Sequence, residues 1–178
     1  MPRLFVGLEP DAEARARIWR WAAELAEVCP GRYYEKELYH VTVLFLGGVG
    51  AERLPALERR LCGLSGVPFT LALGEAACFK GGRVLYAGVR PCPPLMDLAV
   101  RVRSALSDFL PPDAEEGYVP HLTLARHAQG CGGAPLPPEI SFPVRHFTLF
   151  ESTRVDDRLA YLPLRRFPLA GEEGAAHA

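Results

Sequence analysis

No stretch of this 178-residue chain approaches the roughly 20 consecutive apolar residues that a bilayer-spanning helix needs. The apolar run near the N-terminus, within MPRLFVGLEPDAEAR, is too short for a secretory leader, and acidic residues follow at once. Cysteine is sparse: Cys29, Cys62, Cys78, Cys92 and Cys131 are odd in number, widely spread, and include no C-x-x-C pair. That pattern predicts reduced thiols in a cytoplasmic protein and gives no zinc signature. Positive charge is not in excess either. A formal net charge of −1 argues against a broad basic surface that coats nucleic acid, yet leaves room for a local cleft gripping one or two phosphates. Of 20 basic residues only Lys36 and Lys80 are lysines, a bias assigned to GC-rich coding rather than to function. Against these absences stand 49% hydrophobic and 23% charged residues, the composition of a packed globular domain.

What is present becomes legible when the chain is laid on itself with an offset of 81 residues. Phe5-Val6-Gly7-Leu8 falls on Tyr86-Ala87-Gly88-Val89, Pro10 on Pro91, Arg20 on Arg101 and Pro30 on Pro111, with no gap. His40-Val41-Thr42-Val43 then lands on His121-Leu122-Thr123-Leu124. The ordered matches read as a duplicated unit: apolar strand, proline, helix, and a short strand carrying a histidine. Leu95, Leu98, Val102, Leu106 and Phe109 form one apolar stripe at three- and four-residue spacing; Ile18, Ala22, Leu25 and Val28 do the same in the first copy. After the histidine strands the copies diverge. A helix bearing Leu54, Leu57, Leu61 and Leu64 follows the first, and a Gly/Pro-rich loop from Gln129 to Pro138 follows the second. Gly81-Gly82 reads as a hairpin turn. Further strands are expected at Phe69–Leu73, Ala76–Phe79, Val144–Phe150 and Leu159–Leu164. Strands mixed with outer helices predict an α+β fold of two sheet-based lobes, residues 1–170 forming one bilobal domain and 171–178 a frayed tail.

In a strand, residues two apart share a face. His40 and Thr42 therefore oppose Val41 and Val43, and His121 and Thr123 oppose Leu122 and Leu124. Packing alone would ask for apolar patterning at both places, not the same His and Thr twice. Imidazole titrates near neutrality, so one ring can act as base while its partner acts as acid. Opening a cyclic phosphodiester needs a proton taken from water and another given to the leaving oxygen. Threonine hydroxyls can donate to the non-bridging phosphate oxygens, where charge must be held. Neither motif has a carboxylate or cysteine at metal-ligand spacing, so no metal or other cofactor is expected.

The segments RLFVGL, HVTVLFLGGVG, RVLYAGV, YVPHLTLAR and FTLFES, in that order, resemble the two-histidine phosphoesterases. More narrowly they resemble the RNA 2′,3′-cyclic phosphodiesterases, once named 2′-5′ RNA ligases, over residues 3–169. The resemblance implies a cleft between two lobes that opens a 2′,3′-cyclic phosphate at an RNA 3′ end to a 2′-phosphate. It implies His40 and His121 as the catalytic pair, with His40 as acid and His121 as base, and Thr42 and Thr123 on the phosphate. It also points to Arg126 as a further phosphate ligand and to Phe45 as the stacking partner of the terminal base. Strict alternation puts both of those residues on the face away from their histidines, so the strands must bend or twist before them. Joining of 2′-5′ ends, hydrolysis of a small cyclic nucleotide, and non-catalytic binding of RNA ends stay open as alternatives. No membrane or obligate protein partner is implied, and a monomer is expected. Tyr33, Tyr34, Tyr39 and Tyr118 are candidates for lining a base pocket, Arg32 and Lys36 for local positive charge. His127 and His146 have no duplicate and read as structural.

Overall fold

The computed structural model describes residues 1–79, 84–112, 114, 117–129 and 138–169. The expected hairpin at Gly81-Gly82, most of the Gly/Pro-rich loop and the tail lie outside the described residues. Strand β1 (Arg3–Leu8) leads to helix α1 (Ala12–Val28), whose first turn is capped by the Asp11 carboxylate accepting from the Ala14 amide at 2.8 Å. Ala14, Ile18, Trp21, Ala22 and Leu25 form its buried stripe. Val28 is 44% exposed, so Trp21 rather than Val28 completes the packing face. A two-residue strand β2 (Arg32–Tyr33) precedes β3 (Val41–Gly48), followed by α2 (Leu54–Cys62), β4 (Phe69–Cys78) and β5 (Val84–Val89). Helix α3 (Pro93–Ala105) opens on two prolines, which fit where helical amides have no partner. Strands β6 (His121–Arg126), β7 (Ser141–Val144), β8 (His146–Val155) and β9 (Arg158–Pro168) complete the order.

The strands form one antiparallel path, β7-β4-β5-β6-β3-β1-β8-β9, with β2 on the β6 edge beside β3. The α+β class with its paired lobes is borne out, and the halves join at the two histidine-bearing strands. Chain order and lobe are nevertheless crossed. Strand β4, from the first half of the chain, pairs with β5, while β8 and β9, from its end, extend the sheet beside β1. The two strands expected over 69–79 are one strand with a bulge between Leu73 and Ala76, and the one expected over 144–150 divides between β7 and β8.

The ungapped self-match also needs a correction. Leu8 pairs with Val41 and Ala87 with Leu122, so equivalent positions of β1 and β5 are 79 residues apart, whereas the motif strands are 81 apart. A slip of two residues keeps every side chain on its face, which is why periodicity could not detect it. The expectation of reduced thiols fails at Cys29, which is buried and disulfide-bonded. Among the described residues no helix is long and apolar enough to cross a membrane.

Candidate active site

Strands β3 and β6 meet at Val41 opposite Leu122, both fully buried. Carrying that antiparallel register one residue each way sets His40 against Thr123 and Thr42 against His121. The four polar residues therefore make a crossed quartet on one face, while Val41, Val43, Leu122 and Leu124 enter the core on the other. All four quartet residues are half-buried.

Each imidazole is held by the same device. His40 Nδ1 donates to the Leu38 carbonyl at 2.8 Å, and His121 Nδ1 donates to the Val119 carbonyl at 2.7 Å. A carbonyl only accepts, so the proton of the neutral ring sits on Nδ1 and Nε2 is left to exchange one. His40 Nε2 accepts from Thr42 Oγ1 at 3.0 Å. Aromatic rings flank both histidines: Phe5 and the edge-on Tyr161 lie 4.8 Å from His40, and Phe79 and Tyr86 lie 4.8 and 5.4 Å from His121. Burial pushes His40 down to about 4; the Leu38 carbonyl opposes this, His121 adds to it, and Glu9 and Arg15 act in opposite senses. His40 is thus neutral in the free protein at neutral pH. Glu9 is itself fixed by the buried Thr148, whose hydroxyl donates to it at 3.1 Å, with Arg166 at 3.6 Å and His146 at 3.8 Å.

Paired bulges bring the two remaining predicted residues to this face. Along β1, Val6 pairs with Leu44 and Gly7 with Thr42, so Val43 is the extra residue. Along β5, Leu85 pairs with Ala125 and Tyr86 with Thr123, so Leu124 is the extra residue, 81 positions after Val43. Each bulge buries two consecutive residues, Val43-Leu44 and Leu124-Ala125, and returns Phe45 and Arg126 to the histidine face. Phe45 is 43% exposed and lines a cavity of about 540 Å³ with Thr42, Phe79, Met96, Tyr118 and His121. Tyr118 also donates to the Thr42 carbonyl at 3.0 Å, tying the approach to His121 onto β3.

Arg126 donates from Nε to the hydroxyl of Tyr34 at 2.6 Å. Tyr34 is 7% exposed and lies beside Tyr161, whose ring meets His40. The sequence offered Tyr34 only as a possible base-pocket residue and gave no sign of Tyr161, Phe5 or Phe79. Their partners lie far away in the chain, and an aromatic in an apolar strand looks like core. Of the other tyrosines, Tyr39 is buried and Tyr33 donates to the Cys29 carbonyl, so neither lines the cavity.

A sheet whose halves join at two duplicated H-x-T strands is the two-histidine type of α+β protein. The chain belongs to the 2′-5′ RNA ligase superfamily, whose family model matches residues 10–156. It is 34% identical to the RNA 2′,3′-cyclic phosphodiesterase of Escherichia coli (strain K12) over 170 residues, 94% of this chain and 96% of that protein. The Archaeoglobus fulgidus RNA 2′,3′-cyclic phosphodiesterase is 32% identical over 70% of this chain and 72% of its own length. Among solved structures, Escherichia coli LigT in its apo form superposes with a TM-score of 0.85 at 33% identity, covering 94% of this chain and 96% of LigT.

Proposed function

We propose that this protein hydrolyses 2′,3′-cyclic phosphate ends of RNA to 2′-phosphates by metal-independent acid/base catalysis. The observation that carries the reading is the mirrored pair of imidazoles, each with Nδ1 on a carbonyl two residues back and Nε2 left to exchange protons. The activity of the Escherichia coli and Archaeoglobus relatives supports the same chemistry.

In the proposed step His121 Nε2 takes a proton from water, and the resulting hydroxide forms a bond to phosphorus. The P–O3′ bond breaks, and O3′ receives the proton of His40 Nε2. The 2′-phosphate remains on the ribose, and proton exchange with solvent resets the rings. Once His40 Nε2 carries a proton it no longer accepts from Thr42, whose hydroxyl then donates with that of Thr123 to the non-bridging oxygens. Arg126 adds a charged donor whose terminal nitrogens are left over by the Tyr34 bond. Phe45 stacks on the terminal base within the apolar-walled cavity. Because His40 is neutral in the free protein, its acid role depends on the substrate: an anionic phosphate beside the ring raises its proton affinity as it binds.

The direct test is an oligonucleotide ending in a 2′,3′-cyclic phosphate, incubated with chelator, with the product's phosphate position identified. A 2′-phosphate is expected, and turnover should disappear in both His40→Ala and His121→Ala. A 3′-phosphate product would show that O2′ leaves instead, and full activity in either variant would remove the acid/base pair.

A further inference from the structure

Arg32 stands directly opposite Arg126 across the β2–β6 pair. Residues so placed share a face, with Cβ atoms about 5 Å apart, and like charges there are destabilising. Gly31 permits the close backbone approach here, since a Cβ would lie 3.1 Å from the Ala128 Cα and 3.2 Å from the Arg126 carbonyl oxygen. Both arginines are exposed, and among the described residues no carboxylate lies within ion-pair reach of either. Arg126 has its Nε on Tyr34; Arg32 has no such tether among the described residues. The pair lies on the β6 edge that also carries the quartet, about 10 Å along the strand from Thr123. In a chain of net charge −1, two neighbouring guanidinium groups without a counter-ion beside the catalytic quartet form a local anion site larger than one phosphate requires.

We infer that Arg32 binds the phosphodiester next to the reacting cyclic phosphate, so that an RNA strand end is preferred to a free nucleoside 2′,3′-cyclic phosphate. The inference rests on the cyclic phosphodiesterase reading and specifies its substrate. Arg126 holds the reacting group, and Arg32 recognises the backbone that only a polynucleotide brings.

The experiment compares kcat/KM for a short oligonucleotide ending in a 2′,3′-cyclic phosphate with that for the corresponding nucleoside 2′,3′-cyclic phosphate. In Arg32→Gln the oligonucleotide-to-mononucleotide ratio should fall by about tenfold, one charge-assisted contact. Arg59→Gln, an exposed arginine on α2, controls for general loss of positive charge and should leave the ratio unmoved. In parallel, binding of an oligonucleotide ending in a 2′-phosphate is measured against salt. Loss of one backbone contact should reduce the slope of log K against log salt by about 0.7. An unchanged ratio, or equal losses on both substrates, overturns the inference. So does an unchanged salt slope, which is read without catalysis. Absence of turnover on either substrate by the unmodified protein would instead overturn the cyclic phosphodiesterase reading and leave the salt slope to decide Arg32.

Discussion

Bringing a nucleoside 2′-phosphate into the cleft should protonate His40. In the free protein burial holds this ring at about 4, too low for it to carry a proton at neutral pH. A unit negative charge about 4 Å from the imidazole, at an effective dielectric of about 20, stabilises the cation by about 4 kcal/mol. That is roughly a thousandfold in proton affinity, enough to carry the ring from about 4 into the neutral range where a general acid works best. The assay is an NMR titration of the His40 ring, with and without saturating nucleoside 2′-phosphate, assigned through His40→Gln. With ligand bound, Nδ1 should keep its bond to the Leu38 carbonyl while Nε2 gains a proton. Should His40 still titrate near 4 under saturation, the anion does not reach this ring, and the assignment of His40 as acid fails.

The same displacement affects folding. The unfolded chain binds a proton at His40 between the ordinary value of 6.5 and about 4, where the folded chain does not, so stability rises with pH across that window. The upper limit is about 3 kcal/mol; urea unfolding at pH 4.5 and 7 should show His40→Gln losing less stability on acidification than the unmodified protein. Phe45→Ala should weaken binding of a cyclic phosphate end by about 1–3 kcal/mol, read as a raised KM, and Phe45→Tyr should restore it. Tyr34→Phe removes the acceptor of Arg126 Nε and should lower kcat/KM by about tenfold. The same change in an Arg126→Ala background should have no further effect, since the two act as one unit; additive losses would separate Tyr34 from Arg126.

The histidine and threonine positions were legible because a strand repeats every two residues, so His-x-Thr flanked by apolar residues states which side faces out. Duplication raised that pattern above chance, and the helical stripes of α1 and α3 were legible from their spacing in the same way, Val28 apart. The resemblance of the quoted segments supplied the family and the cyclic phosphate, neither of which periodicity contains.

Tertiary structure decided what no local period encodes. The two-residue slip between β1 and β5 leaves the facing pattern intact, so only pairing registers expose it. The bulges at Val43 and Leu124 are invisible because Val-Leu and Leu-Ala look like uninterrupted core, yet they alone turn Phe45 and Arg126 toward the histidines. The crossed lobes, the Arg126–Tyr34 bond and the juxtaposition of Arg32 with Arg126 join residues tens of positions apart. The sequence by itself thus determined the catalytic candidates and the faces they occupy, since those follow from neighbours along the chain. Which residues surround the two rings, and that burial leaves His40 neutral, depends on contacts that exist only after the strands have paired.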